Sequence, residues 1–162
     1  MGDLVFNGEI IKDIRCIMYQ NDQLWNECSL VSIWNAGRFF GLKVPEFKSA
    51  EYKRLCIRYK CVKDGCDMKY FHREARRLGM YIVEGTWDLK WIKKNLPVEV
   101  SVMSGGIYHS ALIVYVHGYK LKLANYYKYR CRWIIWSKLK KGGIDKKTKD
   151  FFDDPISFKL RL

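Results

Sequence analysis

The chain has 162 residues, about half of them apolar and 15% aromatic, enough for one packed core without disulfide or metal staples. Thirty Lys and Arg against 17 Asp and Glu leave a net charge of +13, a positive field that attracts phosphate or acidic protein surfaces. No run of eighteen apolar residues marks a membrane-spanning helix, and Met1 to Ile11 lacks the basic-then-apolar pattern of a secretory signal.

A reducing, cytoplasmic setting is therefore expected, with a phage or virion component as the other possible home. In either, Cys16, Cys28, Cys56, Cys61, Cys66 and Cys131 read as free thiols rather than a disulfide framework. No repeat or low-complexity linker divides the sequence, so residues 1–162 are read as a single domain.

In chain order, residues 9–19 read as a strand or extended arm. Residues 28–40 (CSLVSIWNAGRFF) place Leu30, Ile33, Trp34, Gly37 and Phe40 at helical spacing, with Gly41 as the stop. Pro45 opens a second helical stretch over about 46–60, and a third spans about 67–78 to Gly79. Residues 80–84 are strand-like, and a fourth helix over 87–95 ends at Leu96-Pro97. Beyond Pro97 the residues become β-branched and aromatic: strands are expected over 98–103, 107–116, 119–127, 132–136 and 156–162. His117-Gly118 is placed as a hairpin turn, and 138–154 as a polar connection. Helices first and an antiparallel sheet second is the α+β pattern.

Three features converge on one chemistry. Cys28 opens a helix, where the macrodipole and the free N–H groups of the first turn favour thiolate, the nucleophilic form, over thiol. Gln20, eight residues upstream, carries an amide suited to stabilise an oxyanion together with the Cys28 N–H; Gln23 is its competitor. His109 lies on a strand whose hairpin partner, for a turn centred on His117, is Asn125. An Asn side-chain carbonyl opposite the ring would orient it and leave the other nitrogen facing the thiol.

On these residues the chain resembles a family. YQNDQLWNECSLVSIWNAGRFFG (19–41) is similar to the catalytic start of the papain-like peptidases that remove double-glycine leaders from bacteriocins, and above all to their stand-alone relatives. The resemblance resumes at LPVEVSVMSGGIYHSALIVYVHGYKLKLANYY (96–127), where a Pro-led strand, a Gly loop, a His and a hairpin follow in the family's order. RWIIWSKLKK (132–141) is similar to its closing strand and helix; residues 46–95 match only as helices. Ser29 and Tyr108 stand where the family has Gly, and Asn125-Tyr126 replaces its Asp-Pro, which implies a changed pocket.

The resemblance implies a papain-like α+β fold and a thiol peptidase. Its triad would be Cys28, His109 and Asn125, with Gln20 at the oxyanion and no metal or organic cofactor. Its peptide or protein substrates would be leader peptides ending in small residues; the basic surface leaves an acidic protein or a peptidoglycan cross-link as alternatives. The alternative is an inactive papain-like fold serving as a basic binding or structural component of a phage or mobile element.

Other patterns carry less. Cys56, Cys61, Cys66 and His72 are spaced too widely for a usual zinc knuckle and read as packing residues. His72 and His117 read as surface residues. The aromatic and basic run from Tyr126 to Trp136 reads as a sheet face with its rim rather than a nucleic-acid surface.

Overall fold

The computed structural model describes residues 4–6, 9–11, 27–59, 68–104, 107–126, 132–137, 151–152 and 155–162. Strands β1 (Leu4–Phe6) and β2 (Glu9–Ile11) pair antiparallel with each other. Three helices follow: α1 (Cys28–Phe39), α2 (Ala50–Arg58) and α3 (Met68–Arg77). Next come β3 (Met80–Glu84), α4 (Leu89–Lys94), β4 (Val98–Ser104), β5 (Ile107–His117) and β6 (Lys120–Ala124). The chain closes on β7 (Arg132–Ile135), β8 (Phe151–Phe152) and β9 (Ile156–Leu160). The α+β expectation holds.

The larger sheet runs β3-β9-β4-β5-β6-β7, and β8 pairs with β4 beyond the point where β9 leaves it. Every pairing is antiparallel. Because successive strand residues point to opposite faces, the sheet divides its core in two. Leu112 and Val114 of β5, with Ala124 and Phe158, pack under Leu30, Ile33, Trp34 and Ala36 of α1 and under side chains of α2 and α3. Val98, Val100, Ala111, Ile113, Leu121 and Leu123 face the other way, onto Ile92 of α4 and onto Trp136. The fourth helix thus covers the far face rather than joining the first three. Each fully buried Leu or Ile in these layers contributes ~1.5–3 kcal/mol.

Local chemistry sets the boundaries. Helix α1 ends in a Schellman motif: Gly41, at φ +72°, lets its own N–H reach Arg38 O at 2.9 Å and the Leu42 N–H reach Gly37 O at 2.8 Å. Gly37 is required for a different reason, since a Cβ there would lie 2.6 Å from Val44 Cγ1 as the chain returns over the helix. Helix α2 starts at Ala50 rather than near Glu46 because Ser49 caps it, its hydroxyl accepting from the Tyr52 N–H at 3.1 Å. Asp88 caps α4 in the same way through the Trp91 N–H at 2.7 Å.

Several expectations need correction. The β5–β6 turn is Gly118-Tyr119, closed by the His117↔Lys120 pair, and not His117-Gly118. A bulge between Ile113 and Tyr115 shifts the register again, so that the ladder ends at Leu112↔Ala124. His109 and Asn125 are therefore not register partners. Strand β6 also ends at Ala124 instead of near Tyr127, because Asn125 turns out of it with φ +57°. In addition, Phe151 and Phe152, placed in a polar connection, form a strand on β4; the rest of 138–154 lies outside the described residues.

Candidate active site

Helix α1 points its first residue at the middle of the sheet. Cys28 is 8% exposed, and its sulfur is hydrogen bonded by the main chain of Ser110 on β5 and by the main chain and hydroxyl of Ser29. One turn further along the same helix face, Ser32 meets Ser110 a second time, Oγ to Oγ at 2.8 Å. The start of α1 is thereby fixed to the stretch of β5 that carries His109.

His109 is partly buried, and its Nε2 lies 2.5 Å from the main-chain oxygen of Asn125. A carbonyl oxygen only accepts, so Nε2 carries the proton and, in the neutral ring, Nδ1 is the basic nitrogen. The group at Nε2 is the backbone oxygen of Asn125, where the left-handed turn ends β6, and not the side-chain carbonyl expected.

The electrostatics also depart from expectation. A helix N-terminus was expected to lower the Cys28 thiol. Burial instead pushes it up, the charge of Glu99 adds to the rise, and the Ser110 and Ser29 hydrogen bonds offset only part of it. Burial likewise pulls His109 below its ordinary value, against the Asn125 hydrogen bond. Both groups therefore rest neutral, thiol and imidazole, at neutral pH.

Two buried carboxylates lie near this cysteine, Glu27 adjacent to it in sequence and Glu99 brought there by the sheet. Glu99 of β4 is 4% exposed and accepts from the Ser110 hydroxyl at 2.7 Å and the Ser101 hydroxyl at 3.2 Å. Glu27, just before Cys28, is also buried and accepts from the Tyr52 hydroxyl. Alternation along a single strand places Glu99 on the face with Ser101, but only the β4–β5 register, Ser101↔Ser110, shows that it lies beneath α1.

Gln20 and Gln23 lie outside the described residues, as do Cys16, Cys61, Cys66 and Cys131. Cys56 is buried in the core beside α1, and His72 is exposed. Among the described residues no group of three or more His, Cys, Asp or Glu is placed to hold a metal ion. No described helix is long and apolar enough to cross a membrane.

No protein-family model matches the chain, and no curated protein shows a significant match. Among solved structures it is similar to the N-terminal peptidase C39-like domain of the toxin secretion ATP-binding protein from Vibrio parahaemolyticus. The two are 14% identical, with 86% of this chain and 100% of that chain covered, at a TM-score of 0.54. The likeness is one of fold: the helices and antiparallel sheet are those of a C39 peptidase-like domain.

Proposed function

We propose that the protein is a thiol-dependent peptidase of the papain-like type, related in mechanism to the double-glycine-leader peptidases. The observation that carries this reading is the convergence at Ser110. The Cys28 sulfur, at the start of α1, is held on the main chain next to His109, whose Nε2 is tied to Asn125. The fold likeness to a C39 peptidase-like domain supports it.

A resting neutral pair calls for general-base chemistry rather than a preformed ion pair. As Cys28 Sγ attacks the scissile carbonyl, His109 Nδ1 takes the thiol proton, and Asn125 O stabilises the imidazolium through Nε2–H. The Cys28 N–H and the Gln20 amide hold the oxyanion; His109 then returns the proton to the leaving amine, and the C–N bond breaks. Water, deprotonated by the same nitrogen, releases the acyl group and restores the thiol. The substrate is a peptide or protein segment with small residues before the cleaved bond and, given the net charge of +13, acidic residues elsewhere.

A second reading is an idle basic module on the same fold, and the buried, raised Cys28 thiol is the observation that favours it. Hydrolysis of a Gly-Gly leader peptide separates the two. The wild type should cleave it, and Cys28→Ala and Cys28→Ser should not while melting normally. Absence of cleavage in the wild type, or cleavage kept by both variants, would reject the peptidase reading.

A further inference from the structure

Four hydrogen-bonding side chains from three elements meet behind the Cys28 sulfur. Ser32 stands four residues after Cys28 on the same face of α1; Ser110 comes from β5, and Ser101 and Glu99 from β4. Both Ser101 and Ser110 direct hydroxyls at the same oxygen of Glu99, at 3.2 and 2.7 Å. Because Ser110 spends its single proton on Glu99, its 2.8 Å contact with Ser32 is one in which Ser32 donates. The chain of bonds thus has one direction, from α1 through Ser110 to Glu99, and ends on a carboxylate that accepts at its head.

We propose that Glu99 is a positioning residue for Cys28, acting through Ser110 to hold the β5 main chain against the sulfur while setting a negative charge behind it. Burial keeps the thiol neutral at rest, the charge adds to that preference, and the Ser110 N–H fixes the direction from which the sulfur is approached. Glu99 touches no reacting atom in this role. The inference deepens the peptidase reading, since it assigns a control to the same nucleophile. Its test reads alkylation and not hydrolysis, so the two can fail separately.

Among the described residues, the titratable groups around Cys28 come from four places. Glu99 comes from β4 and His109 from β5; Glu27 precedes the cysteine, with the Tyr52 hydroxyl of α2 upon it. The experiment measures the pH dependence of iodoacetamide labelling at Cys28, resolved from the other five cysteines by peptide mass spectrometry. In Glu99→Gln, which keeps an acceptor for Ser110 but removes the charge, the labelling midpoint should fall by roughly one pH unit, the scale of one partly screened charge. Glu99→Asp, which keeps the charge, should restore most of the wild-type midpoint. Ser110→Ala leaves the charge but frees the β5 main chain from its tether, and the midpoint should rise. A residue that only braced the fold would lower the melting temperature and leave the midpoint where it was. An unchanged midpoint in folded Glu99→Gln, or, should that variant not fold, in Ser110→Ala, overturns the proposal.

Discussion

His109 Nε2 lies 2.5 Å from the main-chain oxygen of Asn125, so the orienting group for the ring is a peptide carbonyl set by a left-handed turn. For the bond to His109, what position 125 supplies is a main-chain oxygen placed by its backbone conformation. Asn adopts φ +57° more readily than most residues, and Gly adopts it without strain. Asn125→Gly is therefore expected to keep turnover within a few-fold of wild type. Asn125→Ala should cost about 1 kcal/mol of stability through the strained φ, with a modest fall in kcat, and Asn125→Val more of both. Steady-state kinetics and thermal melts of the three variants check the ranking. A hundredfold loss in Asn125→Gly would show that the side chain, and not the carbonyl, does the orienting.

The two buried groups make stability depend on pH from both sides. His109 is held below its ordinary value, so the unfolded chain binds its proton first as pH falls. Stability should decline below about pH 6.5, the ordinary His value. Cys28 is held above its ordinary value, so the unfolded chain loses that proton first as pH rises, and stability should decline above about pH 8.5. Melting temperatures of the wild type minus those of His109→Ala and Cys28→Ala isolate the two contributions. Each variant should flatten its own side of the profile and leave the other side unaltered.

Activity should follow the same two protonations. The acid limb reports charging of the His109 base and should lie below about pH 6.5, since burial opposes that charge. No alkaline fall should appear near pH 7–8, because the reactive form is the neutral pair and the thiol keeps its proton past its ordinary value. A pH–kcat/KM series on the leader peptide checks both limbs. An optimum confined below pH 6 would point instead to a preformed thiolate–imidazolium pair.

Beneath α1 the helices are joined by one carboxylate. Glu74 of α3 is fully buried and accepts from Trp34 Nε1 at 3.1 Å, from the Tyr59 hydroxyl at 2.5 Å and from both Nε and Nη2 of Arg77. Burial and the Glu74 hydrogen bond push Tyr59 up to about 12. Removing one partner of a buried charge network costs ~3–5 kcal/mol, and the low end applies here because Arg77 is 40% exposed and can rehydrate. Glu74→Ala should therefore lose about 3 kcal/mol, a fall of roughly 6–12 °C in Tm for a chain of this size. Glu74→Gln should lose less, since it keeps an acceptor. Calorimetry of both variants is the check.

The helices were legible because their signals are local. Gly41 and Gly79 close α1 and α3, and the apolar spacing of Leu30, Ile33 and Trp34 marks the buried face of α1. Strand identities were legible from composition, but register was not. Nothing in HGYK fixes the turn at Gly118-Tyr119, and no local residue pattern marks the bulge after Ile113. His109 and Asn125 do meet, but through the main-chain oxygen at the left-handed turn and not as opposed side chains in the ladder. Glu99 was illegible for a stronger reason. Its role depends on what lies opposite in β5 and above in α1, seventy residues away in sequence, and a lone Glu among valines carries no such information. The direction of the thiol shift was illegible because a helix start is a local signal, whereas burial against β5 depends on tertiary packing.

The most direct test of the account is the rate at which a Gly-Gly peptidyl acyloxymethyl ketone, which needs a working thiol and base, labels each cysteine. Labelling is expected at Cys28 well ahead of Cys16, Cys56, Cys61, Cys66 and Cys131, with a loss of at least about a hundredfold in His109→Ala and the melt preserved. Labelling spread evenly over the six cysteines, or a Cys28 rate unchanged by His109→Ala, would contradict it.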